Sequence, residues 1–171
     1  MKLDALVQML QTCSLHEIEM LLQMTLSREG FGDIEIMHRR KSKQKSRYGG
    51  YDLVCRKGTG FGLETVIIKV VRDTVRIRHL SELVGEVDRS KADLGIIVSP
   101  FGLCDSAGEE LPKYSRARIK VVDGQRLARL LAKYSLGIRP SGEVDYAYFT
   151  GLKAASLRII SFLTSIRNDS L

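Results

Sequence analysis

From its first residues the chain sets apolar side chains in a helical rhythm. Leu3, Leu6, Val7 and Leu10 recur at spacings of three and four. Ser14 opens "SLHE", a capping box with Glu17 at its third helical position. The helix that follows turns Leu15, Ile18, Leu22 and Leu26 to a core and stops near Gly30. The rhythm then changes to alternation in "DIEIMHR", which predicts a strand. Two more strands, Tyr51–Arg56 and Leu63–Val71, flank the glycine-rich connection "KGTGFG". Beyond Arg78 the spacing of Leu80, Leu83, Val84 and Val87 predicts an amphipathic helix. "LGIIVS" is a short continuous apolar run, as in a strand buried on both faces. "CDSAGEELPKYS" reads as one short helix with Ser106 and Glu109 as a second capping box. "IKVV" reads as a strand, and "DGQRLARLLAKYSLG" as a helix N-capped by Asp123.

Strands separated by helices imply parallel pairing through right-handed crossovers, whereas the two strands around "KGTGFG" imply a hairpin. The predicted fold is therefore α/β. A mixed central sheet has an antiparallel hairpin in front and parallel strands behind, with helices on its flanks. "GIRPSGEVD" breaks the pattern, which divides the chain into a domain over 1–138 and a linker with an amphipathic C-terminal helix over 139–171. Phe149, Leu152, Ala155, Ile159, Leu163 and Ile166 line one face of that helix. The face packs on its own domain or forms a homodimer interface.

Composition narrows the setting. The chain has 171 residues, 44% hydrophobic and 27% charged, enough for one core of ordinary soluble type. Nothing approaches the roughly 18 consecutive apolar residues of a membrane span. The opening "MKLDALVQML" carries Asp4 and no small-residue cleavage site, so it does not read as a signal peptide. Cys13, Cys55 and Cys104 are odd in number and scattered, which fits the cytoplasm and three small buried hydrophobes. His16, His38 and His79 show no zinc spacing. The net charge is +7, which favours a polyanionic partner such as nucleic acid. Much of it lies in "RRKSKQKSR", Arg39 to Arg47, either a solvated loop or a phosphate-gripping segment.

Two charges interrupt the predicted hairpin: Asp52 in "YDLVC" and Lys69 in "VIIKVV". Charges in buried strands need partners or a purpose. An acid there can hold magnesium, which prefers oxygen ligands and retains water. A lysine beside it can orient an attacking water and offset charge gathering on phosphorus. Alternatively the two form a pair that only ties neighbouring strands together. Gly58, Gly60 and Gly62 give a G-x-G-x-G pattern, but they lead into β-branched residues rather than a helix, so a dinucleotide loop is not expected.

These segments together resemble the Mrr-type restriction endonucleases of the PD-(D/E)xK nuclease superfamily, over about residues 14–138. "EIEMLLQMTLSREGFGDIEI" is similar to the family's opening helix and first strand, and "GGYDLV" to the stretch bearing its metal-binding aspartate. "VIIKV" falls at Gln/Glu-x-Lys, "LSELVGEVDRSKADLGIIVSPFG" at the next helix and strand, and "IKVVDGQRLARLLAKYSLGI" at the terminal helix. The resemblance implies a magnesium-dependent DNA endonuclease. Asp52 would bind metal with the backbone carbonyl of Ile68, and Lys69 would position water. Arg39, Arg40, Lys41, Lys43, Lys45 and Arg47 would contact DNA. One position departs: the family's Gln or Glu is Ile67 here. Alternation places Glu64 on the opposite face from Lys69, so it replaces Ile67 only if a bulge shifts the register. Asp73 shares the parity of Lys69 but reads as a turn residue. Glu19 sits where the family places an acid near the site, and is either the second carboxylate, at the metal or its water, or a solvent-facing helix charge.

Three readings follow. The chain cuts DNA; or the same fold, with a disabled centre, binds DNA or a partner subunit without cutting; or the basic segment serves only solubility. A chain of this length has no room for a sizeable target-recognition domain, so any sequence specificity would come from a dimer or a partner specificity subunit.

Overall fold

The computed structural model describes residues 3–37, 50–60 and 62–168. Two helices open the chain, α1 (Leu3–Thr12) and α2 (Leu15–Arg28). The expected capping box closes at Ser14: its side chain accepts from the Glu17 amide, and its own amide donates to the Glu17 carboxylate. Gly30 leaves the helix at φ +84°, a left-handed exit that glycine makes without a Cβ penalty. Strands β1 (Gly32–Ile36), β2 (Leu53–Thr59) and β3 (Gly62–Val70) follow, then α3 (Ile77–Ser90) and β4 (Leu94–Ser99). The chain continues through α4 (Asp105–Glu110), β5 (Ile119–Asp123), α5 (Gly124–Lys133) and α6 (Tyr146–Asn168).

The five described strands form one sheet in the order β1-β2-β3-β4-β5. The first three are antiparallel and the last three parallel, as the alternation of strands and helices predicted. The hairpin is tighter than the glycines suggested. Thr59 pairs with Gly62, so only two residues lie between the strands. Its register is unbroken from there to Leu53↔Ile68. The register shift at this edge falls instead on β1, between Gly32 and Glu35, where Asp33 takes φ +47°.

Strand alternation sorts the core into two layers. Leu53, Cys55, Val66, Ile68 and Val70 face α1, α2, α5 and the start of α6. Val54, Ile67, Val71 and Ile97 face α3 and α4, against Leu80, Leu83 and Val87. Each fully buried leucine on α3 contributes about 1.5–3 kcal/mol by leaving water. Gly95 lets α3 approach the sheet: a Cβ there would lie 2.7 Å from Val87 and from Ile119.

Three expectations need correction. "CDSAGEELPKYS" is two pieces, α4 and a 3-10 turn over Leu111–Ala117, and Cys104 rather than Ser106 occupies the N-cap. Cys13 and Cys55 are buried hydrophobes, but Cys104 is half-exposed. Burial pushes the thiols of Cys13 and Cys55 up to about 12 and about 11, whereas a hydrogen bond from Ser106 draws that of Cys104 down. "GIRPSGEVD" is a folded turn, with Ile138 bridging Val144. Val144, Phe149 and Leu152 join the core that α2 covers, while Leu157 and Phe162 stay exposed. Among the described residues, no helix is long and apolar enough to cross a membrane.

Candidate active site

Leu53 pairs with Ile68, so Asp52 and Lys69 are the next residues at the end of the central hairpin. Asp52 terminates the ladder with both backbone and side chain. Its amide donates to the Ile68 carbonyl at 2.7 Å, its carbonyl accepts from Met37, and its Oδ2 accepts from the Val70 amide at 2.7 Å. The Ile68 carbonyl proposed as a metal ligand therefore already accepts one hydrogen bond, with a second lone pair left over.

Lys69 follows Thr65 and Ile67 onto the α3 face. Its side chain is 17% exposed, and its ammonium donates to the Gly50 carbonyl at 3.2 Å. It also lies 3.0 Å from Oε2 of Glu82 on α3. The lysine hydrogen bond holds the Glu82 carboxyl below the usual glutamate range. Ile67 is fully buried among Leu80 and Leu83, so apolar packing takes the place of a ligand there. Glu64 lies on the other face, where its charge reaches Cys55. Asp73 is a turn residue whose carboxylate accepts from the Thr74 amide and pairs with Arg76.

Glu19 is not a solvent-facing charge. It is 0% exposed on α2, and its Oε2 lies 3.1 Å from His16 Nδ1. Cys13, at the corner before α2, feels the charge of Arg72 just past β3. Helix α2 packs on the layer opposite the one Ile67 and Lys69 face.

Sequence reasoning missed Glu82 and Glu86, one turn apart on α3. Glu86 is buried, and its Oε1 accepts from Arg89 at 2.7 Å. Its Oε2 has no hydrogen-bond partner among the described residues. Gly50 rests on this side chain: a Cβ would lie 2.1 Å from Glu86 Cγ. The readable signal was position 86, three residues after Leu83 and inside the apolar stripe.

Oxygen donors of this kind suit magnesium, which needs only one or two carboxylates and keeps its waters. Glu86 Oε2 is a buried carboxylate oxygen without a donor among the described residues, while Oε1 of the same group is paired with Arg89. Among the described residues, no group of three or more His, Cys, Asp and Glu is arranged to hold a metal ion. Segment Arg39–Arg47 lies outside the described residues, but Met37 and Gly50, on either side of 38–49, bond to Asp52 and Lys69.

A five-stranded mixed sheet with flanking helices defines a restriction-endonuclease-like fold, and Asp52 and Lys69 stand at the end of its central hairpin. The family model for the Mrr catalytic domain, described as restriction endonuclease, matches residues 10–131, and the chain belongs to that family. Among solved structures, one of the MspJI restriction endonuclease in complex with a 27-mer oligonucleotide is similar, with TM-score 0.54 and 14% identity. The match covers 91% of this chain and 34% of that one, so this chain spans about a third of that enzyme's length. No curated protein matches the chain.

Proposed function

We propose that this protein is a magnesium-dependent DNA endonuclease that hydrolyses phosphodiester bonds in restriction or defence. The observation that carries the reading is that Asp52 and Lys69 follow directly on the last paired residues, Leu53 and Ile68, at the end of the central hairpin of a family fold, with Lys69 held in place by Gly50 and Glu82. Asp52 would hold the metal, together with the Ile68 carbonyl and a second carboxylate; the resemblance alone puts that carboxylate at Glu19, at the metal or its water. When bound, magnesium supplies polarisation of the phosphodiester and a more acidic water. Lys69 would orient that water and offset charge on the phosphorus. The basic residues Arg39, Arg40, Lys41, Lys43, Lys45 and Arg47 would neutralise phosphates without reading sequence. The described residues on either side of that segment, Met37 and Gly50, bond to Asp52 and Lys69, which supports DNA as the substrate. A homodimer through the exposed part of α6, or a partner specificity subunit, would then supply any selectivity.

Ile67 favours a second reading, in which the same surface binds DNA or a partner subunit without cutting. Incubation with plasmid and linear DNA, in magnesium and in manganese, separates the two. Metal-dependent nicking that is lost in Asp52→Ala and Lys69→Ala supports the enzyme. Salt-sensitive binding with equal traces of nicking in all three proteins supports the binding module.

A further inference from the structure

We propose that Glu82 of α3 supplies the second carboxylate of this site, in place of the strand position occupied by Ile67. The inference rests on the endonuclease reading. Ile67 cannot ligate metal, and its burial against Leu80 and Leu83 fixes α3 over that stretch of β3. The helix thereby brings Glu82 to within 3.0 Å of the Lys69 ammonium, on the face where a strand carboxylate two residues before the lysine would point.

Accessibility separates Glu82 from Glu19. The Glu82 side chain is 52% exposed, open to a hydrated ion and to substrate, whereas Glu19 is 0% exposed and comes from the opposite face. A second observation points to a cation here. Glu86, one turn further along α3, is 7% exposed, keeps an oxygen without a hydrogen-bond donor among the described residues, and packs on the Gly50 whose carbonyl receives Lys69. A buried carboxylate oxygen left without a donor is costly unless positive charge lies near. Arg89 meets part of that demand through the other oxygen, at 2.7 Å, and a divalent ion held by Asp52 and Glu82 would add to it. Glu82 would share in holding the ion with Asp52. The Lys69 ammonium, released from its pair with Glu82, would donate to the attacking water or the phosphate.

Manganese titration of the full chain, followed by calorimetry and by the spin-resonance signal of the free ion, tests this without relying on cleavage. Glu82→Gln and Asp52→Asn are each expected to weaken manganese binding by about tenfold or more, and Glu19→Gln by less than about twofold. Thermal melts check that each variant folds. A mere surface ion pair would alter the melting temperature of Glu82→Gln and leave manganese affinity unchanged. Unchanged affinity in Glu82→Gln, with weaker binding in Asp52→Asn, overturns the role of Glu82 and leaves the endonuclease reading standing. Weakening confined to Asp52→Asn and Glu19→Gln returns the second carboxylate to α2. If the wild-type protein binds no manganese, both readings fall.

Discussion

Gly50 shows how a single residue without a side chain can hold a site together. Its carbonyl receives Lys69 while its α-carbon lies against Glu86. Gly50→Ala puts a methyl group where Glu86 already is, so α3 and the lysine must part. We expect a loss of about 1–3 kcal/mol in chemical denaturation, with a parallel fall in DNA cleavage. Gly60→Ala, at the open hairpin turn, meets nothing within 4 Å and should leave both unchanged. His79 makes a different prediction. Its Nδ1 accepts the Arg76 amide at the start of α3, which requires the neutral ring. Burial, and then the charge of Arg78, lower its pKa from the ordinary 6.5. The unfolded chain therefore takes up a proton that the folded chain resists. The contribution is complete above 6.5 and is lost as pH falls through the lower folded value. Urea midpoints should drop between about pH 7.5 and pH 5.5, and drop less in His79→Gln, whose amide oxygen can still accept the Arg76 hydrogen bond.

At the scale of elements, the strands and most helices were legible because each obeys one rhythm. β1 alternates in sequence, β4 is apolar on both faces, and α3 repeats at three and four. The capping boxes separate two cases. Ser14 caps α2 because "SLHE" precedes an apolar run in register, whereas Ser106 and Glu109 lie inside a helix already begun at Asp105. Asp52 and Lys69 were legible as charges out of place. Glu82 was not, because a charge on the flank of an amphipathic helix reads as a solvated face, and only packing of α3 on Ile67 brings it to the lysine. Glu19 was open between two surroundings for the same reason. The basic segment carries its own prediction. If Lys43 and Lys45 each neutralise a phosphate, Lys43→Ala with Lys45→Ala should weaken DNA binding across sequences. It should also flatten the dependence of log affinity on log salt by about 0.9 for each phosphate no longer neutralised. A slope equal to that of the wild type would assign these lysines to solubility alone.

For the whole molecule, the sheet divides labour between its two faces. One face, under α1, α2, α5 and the base of α6, is a large apolar core that also absorbs the turn before α6. The other carries a smaller core under α3, and at its edge the apolar packing gives way to Lys69, Glu82 and Glu86. The hairpin contributes to both faces, and Asp52 and Lys69, both partly buried, stand at its end, close in sequence to a strongly basic stretch. Under the proposed function, the carboxylate and the ammonium would act on the phosphodiester there.

The central claim is that this site cuts DNA with a metal ion, and a cleavage time course on supercoiled plasmid tests it most directly. The wild-type protein should convert the plasmid to nicked and linear forms in magnesium and stop when the ion is chelated. Asp52→Asn and Lys69→Ala, shown to be folded, should each slow the reaction by about a hundredfold or more. Wild-type protein that binds the plasmid but leaves it supercoiled in magnesium and in manganese would contradict the claim, as would both variants cutting at the wild-type rate.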